Sequence, residues 1–369
     1  MEDSAGATGA GKPDDRLPDA GLQDDDLPAA LHEAFDHLSR LRFDEYMELA
    51  LYAPASGFFA TDGGAGRRTG DFITSPEVGP LFGAVVASRL DRLWDDLGRP
   101  SEFTVLEAGA GRGALAIAVR AAEPRCAASL HWVMVERSAS LRALQAEHLD
   151  LVDGRAGLDG QGPWFSSEAD MPSGPFTGAV VANELLDNLP FRLLECTGSG
   201  WAEVCVERMA SGTDRGGPDG GSGALREVLV ETDAFVGRRL GELVPQALVG
   251  RRVPWQGPAA ARVERARSVL DAGAVIVFDY GRSTAELASA GQSAWLRTYR
   301  GHVRGQDPYE TPGSRDITTD VATDQLPEPT QNLSQSEWLE RNGMGALVEE
   351  ARAVWSEQAA RGGLEAVRA

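Results

Sequence analysis

The segment Val105-Leu106-Glu107-Ala108-Gly109-Ala110-Gly111-Arg112-Gly113 limits the fold of this 369-residue chain more than any other. A short apolar run delivers the backbone to a glycine-rich turn, and a helical pattern follows over residues 114–120. Missing β-carbons let a ligand approach the main chain, and the amides at the start of the next helix face that ligand. A second apolar run, residues 130–136, closes on Glu136. A carboxylate at the end of the neighbouring strand accepts hydrogen bonds from both hydroxyls of a ribose.

The rest of the chain is organised around this unit. Residues 75–77, Ser-Pro-Glu, read as a helix start: a capping hydroxyl, a proline in the first turn and an acid at the positive end of the dipole. Apolar residues then recur at helical spacing to about Leu97, where Gly98 and Pro100 stop the helix. Residues 138–149 read as a helix with Leu141, Leu144 and His148 on one face. Residues 178–182 form a buried strand, and 191–196 the next. This alternation predicts an α/β fold, an open, mostly parallel twisted sheet of Rossmann-like type. The rhythm changes at residues 201–209 and 226–232, which read as paired strands around a Gly-, Ser- and Asp-rich loop at 211–223. Helices at 234–243 and 258–270 lead to a buried strand at 274–278. The expected division is an acidic tail (1–30), an N-terminal helical cap (31–100), the core (101–200), an insertion shaping the substrate cleft (201–273), and the last core strands with terminal helices (274–369).

Charge and cysteines narrow the function. The formal net charge is −21, which repels phosphate and disfavours nucleic acid as a partner. Such a body suits a small cationic cofactor or a basic, arginine-containing protein segment. Cys126, Cys196 and Cys205 show no metal-ligand spacing, so no metal is expected. No stretch of 18 apolar residues exists, so no membrane is expected. The first 30 residues carry eight acids and two bases. They read as a solvated tail, neither a signal peptide nor a mitochondrial transit sequence, and the expected location is the cytoplasm. The oligomeric state stays open, a homodimer included.

The glycine turn alone also fits a dinucleotide fingerprint, with Ala114 in its third position. Glu107 tilts the choice. A pyrophosphate is repelled by a carboxylate there, whereas the ammonium of a methionine moiety gains a charge-assisted hydrogen-bond network. Adenosylmethionine, cationic at sulfur, is the expected cofactor, and a nicotinamide-dependent oxidoreductase is disfavoured. The second constellation is Asn183-Glu184-Leu185-Leu186-Asp187-Asn188-Leu189-Pro190. If it forms one helical turn, Glu184 and Asp187 share a face and paired carboxylates can grip a guanidinium. A solvated helix cap is the competing reading. His302 can relay a proton or make a structural hydrogen bond.

Together these motifs resemble the MidA-type family, the mitochondrial complex I assembly-factor arginine methyltransferases and their bacterial relatives. The resemblance runs from about residue 35 to 326. It rests on Phe43-x-x-Tyr46-Met47, Gly57-Phe58-Phe59, Gly70-Asp71-Phe72-Ile73-Thr74, the glycine turn, Glu136-x-Ser138, Asn183 to Pro190, Asp279-Tyr280-Gly281, Arg297-Thr298-Tyr299-x-x-His302 and Asp316-Ile317-Thr318. It implies a class I methyltransferase core, adenosylmethionine as cofactor and dimethylation of a protein arginine. It also implies cofactor contacts at Gly70, Asp71, Thr74, Glu107, Gly109, Gly111, Glu136 and Asn183, with Gly113 completing the turn. Glu184, Asp187 and Asp279 would form an acidic wall beside the substrate, with Phe72 near the cofactor. Ala110 and Asn188 depart from the family's usual residues. A catalytically silent module that keeps the cofactor fold and serves assembly or interaction is the alternative.

Overall fold

In the computed structural model, whose described residues are 27–60, 80–154, 161–209, 225–300, 303–305 and 307–360, the polypeptide builds two five-stranded sheets and two smaller ones, of three and two strands. The acidic tail to residue 26, the helix start at 75–77 and the Gly-rich loop at 211–223 lie outside the described residues.

The cap begins with α1 (Ala29–His37), a two-residue strand β1 (Leu41–Arg42) and α2 (Phe43–Tyr52). In α2 the residues Phe43, Tyr46, Met47, Ala50 and Leu51 are buried, which is the i, i+3, i+4, i+7, i+8 stripe of an amphipathic helix. They pack with Phe191, Leu193, Val204, Val206 and Trp295. Each large apolar side chain buried in this way contributes about 1.5–3 kcal/mol, so this seam fixes the cap. The opposite face of α2 carries Asp44, Glu45, Glu48 and Tyr52, all lining a cleft. Helix α3 (Pro80–Asp96) packs behind the central sheet, with Phe82, Val86 and Leu90 in its core, and Gly98 (φ +82°) follows its end.

The central sheet consists of β2 (Phe103–Ala108), β3 (Leu130–Val135), β4 (Trp164–Glu168), β5 (Phe176–Asn183) and a later strand, Leu270–Phe278. Helices α4 (Ala114–Ala121) and α5 (Ala139–Gln145) connect the first three. All pairings are parallel, in the order Leu270–Phe278, β5, β2, β3, β4. This is the expected Rossmann-like open sheet. The chain winds outward from β2 to β4, then returns to β5 on the other side of β2. The switch point therefore lies between β2 and β5, where the crevice at the strands' carboxyl ends receives ligands.

Three local readings change. Strand β4 had no counterpart in the sequence reading. On α5 the buried face holds Leu141 and Gln145, with Leu149 beyond its end, and His148 is exposed. The run at 191–196 does not join the parallel sheet. It forms β6 (Arg192–Thr197), antiparallel to β7 (Gly200–Arg208).

The second sheet is antiparallel. On one edge of β7 lies β8 (Leu225–Glu231); on the other, β6 pairs its first half and β1 its second. After α6 (Ala234–Leu243), β9 (Arg252–Trp255) pairs β6, and α7 (Gly257–Ser268) leads into β10, the Leu270–Phe278 strand. Beyond β10, a short strand β11 (Gly281–Arg282) pairs β15 (Val321–Ala322). A small sheet of β12 (Leu296–Arg300), β13 (Val303–Gly305) and β14 (Asp316–Thr319) closes under the β5 turn. Among the described residues no helix is long and apolar enough to cross a membrane.

Candidate active site

The turn after β2 is shaped by three left-handed glycines: Gly109 at φ +71°, Gly111 at +54° and Gly113 at +83°. An L-residue pays about 1–2 kcal/mol for each such conformation. The amides of Gly109 and Ala110 both donate to the Val135 carbonyl, at 2.9 and 3.1 Å, which ties the turn to the end of β3. A β-carbon on Gly109 would stand 2.7 Å from Leu185 Cδ1, whereas one on Gly111 would meet nothing within 4 Å. Gly111 thus presents bare backbone to open space in the cleft it lines.

Glu136 sits at the adjoining strand end, half-buried. Its Oε2 accepts from the Gly111 amide at 2.9 Å and its Oε1 from the Ser138 amide at 2.7 Å. Burial pushes its carboxyl up, and the amides oppose that shift. Each oxygen keeps acceptor capacity for a further donor. Glu107 is only 5% exposed and accepts from the Trp132 indole N–H at 2.8 Å. Burial raises its pKa to about 8, with the Trp132 bond pulling the other way and the Glu136 charge adding to the rise. A cation placed beside Glu107 restores its charged form.

The turn after β5 uses different means. Asn183 lines the cleft, and its buried Oδ1 has no hydrogen-bond partner among the described residues. Glu184 is left-handed at φ +49° although it carries a side chain. Its amide donates to the Phe278 carbonyl at 2.9 Å, and the Leu186 amide donates to Asp279 Oδ2 at 2.8 Å. This reversal sends Glu184 into the cleft and starts a 3-10 turn at Leu186–Asn188.

The expected acidic wall is therefore divided. Asp187 is 6% exposed and does not line the cleft; its Oδ2 accepts from the Thr318 hydroxyl at 2.7 Å. Asp279 also stays out of the lining and accepts from the amides of Leu186 and Tyr280. Both carboxyls are raised, Asp187 to about 6, by burial, and Asp279 feels the Asp187 charge as well. The expected shared face fails because the chain reverses at Glu184 and then tightens into a 3-10 turn. Gly70, Asp71, Phe72, Thr74 and His302 lie outside the described residues.

The cleft encloses about 800 Å³. It gathers Glu107, Gly109, Gly111, Glu136, Asn183 and Glu184 from the sequence reading. Gly113 is outside its lining and supports the turn from behind, against Met134. Several lining residues were missed. Asp170 follows β4, and that strand escaped notice because Ser166 and Ser167 interrupt its apolar run. Tyr52 and Phe59 stack with ring centres 5.3 Å apart and an interplanar angle of 23°. The Tyr52 hydroxyl donates to the Asn188 carbonyl at 3.0 Å, and Asn188 Nδ2 donates to Asp316 Oδ1 at 2.9 Å and the Ile317 carbonyl at 3.1 Å. Tyr52 lies on the face of α2 opposite its buried aromatics Phe43 and Tyr46, so helical periodicity held no signal for it; nothing local marked Asn188 as a brace.

A family model described as "Putative S-adenosyl-L-methionine-dependent methyltransferase" matches residues 85–339. The chain is 30% identical over 304 residues to the Drosophila melanogaster homolog of protein arginine methyltransferase NDUFAF7, covering 75% of this chain and 63% of that protein. It is 29% identical over 299 residues to the Danio rerio NDUFAF7, covering 75% and 65%. The chain thus spans less than two thirds of the length of these curated relatives. A crystal structure of a protein from Burkholderia thailandensis described as a "likely methyl transferase", bound to S-adenosyl-homocysteine, superimposes with a TM-score of 0.72 at 28% identity. The match covers 95% of this chain and 88% of that one. The fold is accordingly that of the class I methyltransferases. Both NDUFAF7 relatives are mitochondrial by name, which overturns the cytoplasmic placement expected from the acidic amino terminus.

Proposed function

The chain belongs to the S-adenosyl-L-methionine-dependent methyltransferase family to which its MidA-type motifs pointed, and from that premise we propose that it methylates an arginine side chain of a protein. The observation that carries the reading is the convergence of the bare-backbone turn, Glu136 and Glu184 on one cleft.

The residues present suit the cofactor. Gly111 leaves room for close approach to the main chain, Gly109 leaves room for Leu185 behind it, and Glu136 would hold the ribose hydroxyls. The orphaned Asn183 Oδ1 would accept from a donor such as the methionine ammonium. Asp170, two residues past β4, would offer the cofactor a further acceptor in the same cleft. When bound, adenosylmethionine supplies an electrophilic methyl group on a sulfonium.

The chain's own residues do the rest. A guanidinium is protonated in water, so its nitrogen attacks poorly unless it is oriented and its charge is drawn elsewhere. The Glu184 carboxylate, held in a fixed left-handed turn, accepts N–H bonds from one edge of the guanidinium and aligns the remaining nitrogen. Such positioning supplies a large part of the rate. Asp187 and Asp279 act from beneath, by fixing the turn, and are not placed against substrate.

The test has two stages. Titration calorimetry should show binding of adenosylmethionine and adenosylhomocysteine and none of NAD. Labelled-methyl transfer to arginine-containing protein should then yield methylarginine by mass spectrometry. Absence of adenosylmethionine binding removes the proposal; binding with methyl transfer only to another side chain removes the arginine assignment.

A further inference from the structure

One face of α2 does something that cofactor binding does not use. Arg137, the residue after Glu136, places its guanidinium 4.9 Å from the centre of the Tyr52 ring and its Nη2 2.5 Å from Glu48 Oε1. A cation over an aromatic face, closed by a carboxylate, is a guanidinium seat. All three residues line the cleft that holds Glu184.

The seat is built independently of its occupant. Tyr52 is stacked on Phe59 and bonded to the Asn188 carbonyl at 3.0 Å. The Phe59 carbonyl accepts from the Ser138 hydroxyl at 2.9 Å. Both aromatic rings therefore stay in place when Arg137 leaves. The occupant, by contrast, is loosely held. The side chains of Arg137 and Glu48 are 61% and 41% exposed, and ion pairs so open to water exchange readily.

We propose that Glu48 and Tyr52 form a second guanidinium subsite in the cleft, filled here by Arg137, which a basic residue flanking the target arginine displaces. This deepens the reading of the cleft as a site for an arginine-bearing protein segment and rests on it. The substrate class becomes a segment with two basic residues, one against Glu184 and one on Glu48 and Tyr52. Arg137 then serves as a built-in placeholder.

The test uses the full chain and N-acetyl-arginine methylamide, with the neutral isostere N-acetyl-citrulline methylamide as control. Removing the placeholder with Arg137→Ala should tighten binding of the arginine compound at least fivefold by calorimetry, and Arg137→Gln should behave alike. The gain should be missing for the citrulline compound, persist when Glu184→Gln is added, and vanish when Glu48→Gln is added. The subsite is refuted if both Arg137 variants bind the arginine compound no more tightly than the parent, or if Glu48→Gln leaves the gain intact. Adenosylmethionine titrations of the same variants report folding and the cofactor site separately. Loss of that binding in the parent would sink the methyltransferase reading while leaving the guanidinium result to stand alone.

Discussion

Two turns meet at the carboxyl edge of the central sheet, and they reach left-handed backbone by opposite routes. After β2, Gly109, Gly111 and Gly113 take positive φ with no side chain to object. After β5, Glu184 takes φ +49° and keeps its carboxylate. Where a ligand must touch the main chain, side chains are dropped. Where a charge must be delivered into the cleft, strain of about 1–2 kcal/mol is accepted. The turns also touch, since a β-carbon on Gly109 would come within 2.7 Å of Leu185 Cδ1, next to Glu184.

Replacing Glu184 separates the two roles most sharply. Glu184→Gln should lower methyl transfer about 100-fold, the range found when one preorganised electrostatic group is lost, while the adenosylmethionine Kd stays within about threefold. Glu184→Gly should be as inactive, yet relief of the left-handed strain should raise stability by about 1 kcal/mol, or roughly 1–2 °C in Tm for a chain of this size. An active Glu184→Gly variant would show that the turn, and not the carboxylate, matters to turnover.

The glycine turn is probed by contrast within itself. Gly109→Ala combines positive-φ strain with pressure on Leu185, so cofactor affinity should fall about tenfold, the equivalent of roughly 1.4 kcal/mol, and kcat should fall with it. Gly111→Ala carries strain alone, and its methyl enters open space. It should weaken cofactor binding and leave kcat of the saturated enzyme unchanged. Equal kcat losses in both variants would break the claim that the turns communicate through Gly109 and Leu185.

How far these turns were legible differs for physical reasons. The glycine turn could be read because its signal is local: buried runs at Phe103–Ala108 and Leu130–Val135, glycines between, and Glu136 at a strand end. The acidic turn could not, because which of Glu184 and Asp187 faces the cleft depends on one left-handed residue. That conformation is held by Phe278 and Asp279 from a distant strand. The run at 191–196 is apolar enough for a buried parallel strand, and only pairing with β7 makes it antiparallel. The acids on α2 resemble a solvated face until the cleft is seen beneath them.

Glu107 gives the smallest effect and the most specific one. Its pKa rises from an ordinary 4.5 to about 8 on folding. The folded protein therefore binds this proton more tightly than the unfolded chain does. The associated stability is complete below about pH 4.5 and is lost as pH climbs through about 8, by at most about 1.4 kcal/mol per unit. Asp187 acts with the same sign but levels off near its folded value of about 6. Between pH 6 and 8, the Tm of the parent should fall relative to Glu107→Gln, in which that proton is absent. A cationic ligand beside Glu107 should also expel the proton on binding. Calorimetry at pH 7 in buffers of different ionisation enthalpy should register close to one proton released per adenosylmethionine in the parent and close to none in Glu107→Gln. Identical proton release in the two proteins would place the ligand's positive charge away from Glu107 and leave the glycine turn without the carboxylate that distinguishes it from a dinucleotide site.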